Sequence, residues 1–140
     1  MSVRPEQARL VRQWVARAEE DLVNAEHTLT LRERCPVGTV CFHAQQCAEK
    51  YLKALLTYRA IEFPKTHDLV VLLNRLGSES GLELRAEEVQ PLNRFSTEAR
   101  YPGDWDPIDI QEASGAVARA RRVREAVRHT LPDDVLQGEN

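Results

Sequence analysis

The stretch CFHAQQCAEKYLKALL, residues 41–56, decides the fold class. Its small and apolar residues recur every three or four positions, which is the spacing of one face of an α-helix. The rest of the chain is rich in charge and poor in β-branched runs bounded by glycine, so helices are favoured over a sheet. We therefore predict an all-α protein, an antiparallel up-and-down helical bundle of four main helices with one or two short helices.

Turn signals divide the chain into these helices. Proline and glycine in RCPVGT, residues 34–39, separate the first helix from the second. Pro91 restarts the helical segment 85–100, and RYPGDWDP, residues 100–107, forms a loop before the last helix. The other predicted helices run from about 5 to 34, from the first break to about 60, from about 67 to 79, and from about 107 to 130. We expect one domain over residues 1–131 and a disordered tail over 132–140.

Size, charge and cysteine content limit the function classes. No apolar run approaches the roughly 20 residues that cross a bilayer, and the N-terminus lacks an apolar signal core, so we expect a cytoplasmic protein without membrane contact. The net charge of −3 excludes a uniformly basic nucleic-acid surface. The three cysteines fit neither a paired-cysteine metal site nor a disulfide framework. Neither a metal nor a cofactor is predicted.

Three polar residues are assigned structural roles at helix starts. Thr66 is the predicted N-cap of the third helix, and Asp68 then lies in its first turn, where a carboxylate favours the helix dipole. Asp106, followed by Pro107, is the predicted N-cap of the last helix.

A polar stripe runs beside the apolar face of the second helix. It comprises His43, Gln46, Lys50 and Lys53, at spacings of three, seven and ten residues from the first. One interpretation is a solvated face with a Glu49–Lys53 ion pair. The other is a polar groove or subunit interface that binds phosphate or a partner backbone. The arginine ridges of the last helix likewise predict either solvated surface or a basic strip for RNA. These arginines are 119, 121, 122, 124 and 128 in the sequence.

Several ordered motifs resemble the HEPN domain family over about residues 10–130. They are Trp14 with Ala18, Asp21, Leu22 and Ala25; HAQQCAEKYLKALL at 43–56; FPKTHDL at 63–69; and ARYPGDW at 99–105. The resemblance implies a helical bundle, homodimerisation and nucleotide or RNA binding. In many prokaryotic members it implies a neighbouring minimal nucleotidyltransferase as partner, in pairs that behave as toxin and antitoxin. In one large branch it implies metal-independent ribonuclease activity.

The ribonuclease branch carries an arginine, four to six intervening residues and a histidine. Its arginine matches Arg100, but positions 105–107 are Trp, Asp and Pro, so the histidine is missing. No obvious imidazole is then left to deprotonate a ribose 2′-hydroxyl. Arg122 and His129 satisfy the spacing and share a helix face, although they lie far from the RYP loop in sequence. Arg100, Arg122 and His129 are therefore weak catalytic candidates.

The loop residues Arg100, Tyr101, Asp104 and Trp105 have two interpretations. They form either a clamp within the bundle or a site in which Arg100 holds phosphate while a ring stacks on a base. The predicted phosphate site adds five side chains from the second helix and the segment after it: His43, Lys50, Lys53, Lys65 and His67. Asp21, at the border of the inward stripe, is predicted to pair with Arg100.

These observations favour a nucleotide- or RNA-binding module of a toxin–antitoxin type pair with a minimal nucleotidyltransferase. Two alternatives stay open. One is a metal-independent endoribonuclease toxin, and the other is a dimeric adaptor that binds no ligand.

Overall fold

A computed structural model describes residues 3–97 and 107–137, and these residues form six α-helices and three 3-10 turns. The α-helices are α1 (Pro5–Leu29), α2 (Val37–Tyr58), α3 (Leu69–Leu76), α4 (Ala86–Val89), α5 (Ile110–Thr130) and α6 (Asp133–Gln137). The 3-10 turns are Arg32–Arg34, Ser78–Ser80 and Gln90–Phe95. The predicted all-α fold is confirmed, because no strand occurs in the described part of the chain.

The helix α2 is the centre of the bundle. Four of its large side chains, Tyr51, Leu52, Leu55 and Leu56, are fully buried. It packs against α1 along one side and against α5 along another. The helices α1 and α2 are antiparallel, since the Gln7 side chain near the start of α1 donates to the carbonyls at the end of α2. The core therefore surrounds α2, and three of its polar side chains, Gln45, Glu49 and Lys53, are buried among its neighbours.

The helix boundaries differ from the predicted ones at three places. The first helix ends at Leu29 instead of residue 34, and Arg32 in the following turn has a positive φ of 54°. The third helix is shorter at both ends and stops before Gly77, whose φ of 72° is a conformation that favours glycine. The last helix begins at Ile110, three residues later than predicted.

The helix caps explain two of these shifts. The N-cap of α3 is Asp68, not Thr66 as predicted: the Asp68 carboxylate accepts the backbone N–H groups of the second and third helical residues, at 2.9 and 3.3 Å. The Thr66 hydroxyl oxygen instead accepts the N–H of Asp68 at 3.1 Å. The N-cap of α5 is Asp109, whose carboxylate accepts the N–H of Glu112 at 2.8 Å. Asp106 lies outside the described residues.

The C-terminal segment contains a short helix. Residues 133–137 of the predicted disordered tail form α6, which packs against α1. The side chain of Val135 is buried, and its carbonyl accepts a hydrogen bond from Arg12 at 3.3 Å. The apolar side chains of Val135 and Leu136 and one backbone acceptor hold this short helix to the bundle.

Ala60, two residues after the end of α2, has a strained backbone conformation. Its φ is 56°, in the left-handed region that costs about 1–2 kcal/mol for a residue with a Cβ atom. The N–H of Ile61 bonds to the carbonyl of Leu56 at 3.0 Å, which is the long hydrogen bond of a Schellman motif. The chain thus reverses here and leads into the segment that carries Lys65 and His67.

Candidate functional site

A buried carboxylate, Glu49, organises the polar side of α2. Its side chain is only 5% exposed. One carboxylate oxygen accepts the Nδ1–H of His67 at 2.9 Å, the Gln45 amide at 3.2 Å and the Gln46 amide at 3.4 Å. The other oxygen accepts the ammonium of Lys53 at 2.9 Å. We call this group the Glu49 network: Gln45, Gln46, Glu49, Lys53 and His67.

The Glu49 network keeps its carboxylate ionised. Burial by itself would raise the pKa of Glu49, because a charged group loses solvation. The hydrogen bonds from Lys53 and His67, the charge of Lys53 and the hydrogen bond from Gln45 together outweigh burial, and the pKa is lowered below its ordinary value. Glu49 is therefore an acceptor in this network and not a proton donor near neutral pH.

The ammonium of Lys53 also lies between two aromatic rings. Its Nζ is 5.7 Å from the ring centroid of Trp14 on α1 and 5.9 Å from that of Phe63 in the segment after α2. A cation within about 6 Å of a ring is attracted by the negative face of the π system. The Lys53 side chain is 11% exposed. This lysine therefore links α1, α2 and the connection to α3.

Asp21 on α1 centres a second group of the same kind, the Asp21 network, formed with His43 and Lys50. One carboxylate oxygen is 2.8 Å from Nδ1 of His43, and the other accepts the ammonium of Lys50 at 2.6 Å. Both oxygens of Asp21 thus have partners within the described residues. The predicted Asp21–Arg100 pair stays a prediction, since Arg100 lies outside them.

The two networks share one design. In each, a carboxylate binds one lysine ammonium and Nδ1 of one histidine. An ionised carboxylate only accepts hydrogen bonds, so Nδ1 carries the proton when the imidazole is neutral, and Nε2 is then an acceptor. His67 is 64% exposed and His43 is largely covered. Among the imidazoles of the two networks, that of His67 is the more open to solvent.

The structure places four of the predicted phosphate-binding residues in the two networks, two in each. His43, Lys50, Lys53 and His67 follow one side of α2 in the two networks, while Lys65 is exposed in the connection to α3. The remaining candidates, Arg100, Tyr101, Asp104 and Trp105, lie outside the described residues.

A cleft of about 390 Å³ lies between the last 3-10 turn and α5. Its lining includes Phe95 from the last 3-10 turn together with Gly115 and Arg119 from α5. Arg94 pairs with Glu112 across it at 2.9 Å, and the guanidinium of Arg94 lies 4.9 Å from the ring centroid of Phe95. The cleft thus combines an aromatic ring with a guanidinium group.

The arginines of α5 are engaged within the chain. Arg121 and Arg124 bind Glu26 and Glu19 of α1. Arg119 donates to two backbone carbonyls of α4. Arg128 donates to the Tyr51 hydroxyl. These contacts join α5 to the bundle and partly neutralise the basic strip that the sequence offers to RNA.

The two weak catalytic candidates on α5, Arg122 and His129, differ in their surroundings. Arg122 binds the Glu88 carboxylate at 3.1 Å and donates to the carbonyl of Glu83. His129, by contrast, is exposed. The guanidinium of Arg122 has a structural task at α4, and the role of the pair in catalysis stays a prediction.

Sequence reasoning missed three members of the site. It assigns Glu49 only an i,i+4 pairing with Lys53, and it does not place the rings of Trp14 and Phe63 there. The Glu49–Lys53 spacing is a local signal, whereas His67 lies 18 positions from Glu49 and Trp14 belongs to another helix. Metal-ligand clusters of three or more His, Cys, Asp or Glu side chains are absent from residues 3–97 and 107–137.

These features define a class of protein: a helical bundle whose second helix carries paired carboxylate, lysine and histidine networks next to aromatic rings. The family model for the HEPN domain matches residues 11–130, so the chain belongs to the HEPN domain family. The resemblance stated from the motifs is confirmed.

Two solved structures are similar to this chain. TT1696 from Thermus thermophilus is 25% identical and superposes with a TM-score of 0.70, covering 86% of this chain and 98% of TT1696. ST0689, an archaeal HEPN homologue, is 24% identical and superposes with a TM-score of 0.63, covering 85% of this chain and 95% of ST0689. No curated protein shows significant sequence similarity to the chain. No helix in the described ranges has the length and apolar character to span a membrane.

Proposed function

We propose that this HEPN-domain chain is a cytoplasmic nucleotide- or RNA-binding module, which forms a homodimer and pairs with a minimal nucleotidyltransferase in a toxin–antitoxin arrangement. The observation that supports ligand binding is the row of His43, Lys50, Lys53 and His67 along one side of α2. Ammonium groups donate to phosphate oxygens, and an imidazole whose Nδ1 is held by a carboxylate does so through Nε2–H only when the ring is protonated.

The row of His43, Lys50, Lys53 and His67 has little net charge once its two carboxylate partners are counted, so we expect modest affinity for an anionic ligand. The two carboxylates and two lysines cancel when the imidazoles are neutral. Each lysine keeps further N–H donors beyond the one that meets its carboxylate, and Lys65 adds an exposed positive charge nearby. Binding should therefore rely on several hydrogen bonds and a few charges, and should weaken as salt is added.

Isothermal titration calorimetry with ATP, GTP and short single-stranded RNAs tests the ligand part of the proposal. We expect binding that weakens several-fold in His67→Ala and in Lys65→Ala. Arg75→Ala, an exposed cation on α3, is the matched control and should bind like the parent. Absence of detectable heat with every ligand at millimolar concentration would remove ligand binding from the proposal.

Co-expression tests the partner part. The chain and a nucleotidyltransferase encoded beside it should purify as one complex, and the chain alone should elute as a dimer when its mass is measured by light scattering. Growth arrest with RNA cleavage, on expression without the partner, would favour the ribonuclease alternative. A dimer that binds neither nucleotide nor nucleotidyltransferase would favour the adaptor.

A further inference from the structure

A shallow cleft on the outer face of α1 is not part of either charge network. It is open to solvent, measures about 440 Å³, and its described lining is Leu10, Gln13, Trp14, Ala16 and Arg17. Leu10 is 42% exposed, so this cleft offers an apolar side chain to solvent. An apolar lining with one amide and one guanidinium is the composition of a small-ligand site, and the volume is within the ordinary range.

The ring of Trp14 is in contact with the Glu49 network. The ammonium of Lys53 lies 5.7 Å from its centroid, and that ammonium is bound by the buried carboxylate of Glu49. Glu49 is in turn held by His67 and two glutamine amides. The Glu49 network therefore fixes an indole that is only partly buried, and a fixed ring loses little entropy when a second ring stacks on it.

The cation of the cleft is available. Among residues 3–97 and 107–137, the ion-pair partner of Arg17 is Glu20, at 4.0 Å, and the two side chains are 75% and 70% exposed. An exposed pair at that distance contributes little to stability. The planar guanidinium can therefore turn to a phosphate and bind two of its oxygens.

We propose that this cleft is the base-binding subsite of the module: a nucleobase stacks on Trp14, the Gln13 amide meets polar atoms of the base edge, and Arg17 binds the phosphate of the same nucleotide. The ligand class is a nucleoside monophosphate, either free or as one unit of a single-stranded RNA. The inference rests on the proposed function, since it assigns the base to α1 and leaves further phosphates to the lysine and histidine row on α2.

Fluorine NMR with 5-fluorotryptophan tests the assignment directly. The chain contains two tryptophans, and the Trp14→Phe variant identifies the resonance of Trp14. We expect that resonance to shift saturably on titration with AMP, GMP or a single-stranded oligoribonucleotide, with the same Kd as calorimetry. Comparing the monophosphates with the oligonucleotide separates a free-nucleotide site from an RNA site.

Substitutions provide the second readout. Trp14→Leu should weaken binding about tenfold, within the usual effect of losing one base–aromatic stack, and Trp14→Phe should retain most of the affinity because it keeps a ring. Arg17→Ala should reduce the salt dependence of binding by about one charge. Val23→Ala, at an exposed position of the same helix outside this cleft, is the matched control. Helical content measured by circular dichroism checks that each variant is folded.

Three outcomes would overturn the assignment. If ligands bind by calorimetry while the Trp14 resonance stays unchanged and Trp14→Leu binds like the parent, the subsite is wrong and the proposed function stands. If the resonance responds to protein concentration and not to ligand, a second copy of the chain covers this face. If neither calorimetry nor NMR detects a ligand, the proposed ligand binding fails together with its subsite.

Discussion

Replacing Glu49 by glutamine should destabilise the protein more than any other single change of a polar side chain on α2. The carboxylate is 5% exposed and is the counter-ion of Lys53, which is 11% exposed. Breaking a buried ion pair by removing one partner costs about 3–5 kcal/mol. Glutamine keeps one acceptor oxygen, and Lys53 can reach some water, so we expect a loss of about 2–4 kcal/mol.

Urea unfolding followed by circular dichroism measures this loss. For a domain of this size the expected change corresponds to a fall of roughly 1–2 M in the urea midpoint. Glu125→Gln on the exposed face of α5 is the matched control and should change the free energy of unfolding by less than about 0.5 kcal/mol. The double variant Glu49→Gln with Lys53→Met should recover much of the loss, because it removes the unpaired cation as well.

The pH dependence gives an independent check. The folded-state pKa of Glu49 is lowered, so its contribution to stability is present above the unfolded pKa of about 4.5 and is lost as the pH falls through the folded value. The difference in stability between the parent and Glu49→Gln should therefore shrink below about pH 4.5. A glutamine variant within about 1 kcal/mol of the parent at pH 7, or a double variant whose loss is the sum of the single losses, would refute the assignment of a coupled buried pair.

Four further predictions test other parts of the fold. Asp68→Ala should lower the free energy of unfolding by about 1–2 kcal/mol, since the carboxylate caps α3 and also accepts the amide of Asn93; an unchanged urea midpoint would count against the cap. Ala60→Gly should raise the melting temperature, with a gain of up to about 1 kcal/mol from the relief of its positive φ, and a lower melting temperature would contradict the strain argument. Burial raises the pKa of Tyr51 from 10.0 to about 12. The free energy of unfolding should therefore fall between these two pH values, because the unfolded phenol loses its proton there while the folded phenol retains it. Tyr51→Phe should lack this dependence on pH, and an equal dependence in parent and variant would be inconsistent with a buried phenol. In the native protein a thiol reagent at about pH 8 should label Cys35 first, because the other two thiols are buried and their pKa values are raised; simultaneous labelling of all three would contradict this order.

The fold class was accessible from the sequence because helical periodicity is a local property. The apolar spacing around residues 41–56 predicted α2, and proline and glycine marked the breaks between helices. The ends of the helices were less accessible. Thr66 and Asp68 are both good N-cap residues, and only the backbone conformation shows that Asp68 is the one whose side chain meets the free amides.

For the site, the sequence predicted several of the residues that take part but not most of their pairings. The spacing of His43, Lys50 and Lys53 predicted that they share one side of a helix, and the structure places them there. The i,i+4 spacing also offered Glu49 as the partner of Lys53, but it did not predict Asp21 as the partner of Lys50. Asp21 lies 22 positions before His43 and 29 before Lys50, a separation over which no local rule specifies a partner.

The sequence by itself determined the helical class, the order of the helices and the HEPN family, because these follow from short-range spacing and from motifs that stand in line along the chain. The tertiary structure alone decided which charges are neutralised and which side chain is left open. Packing α1 against α2 encloses Asp21 and Glu49 with their lysines and sets Lys53 beside the indole of Trp14. Those pairings depend on helix orientation and burial, and both arise only when segments distant in sequence meet.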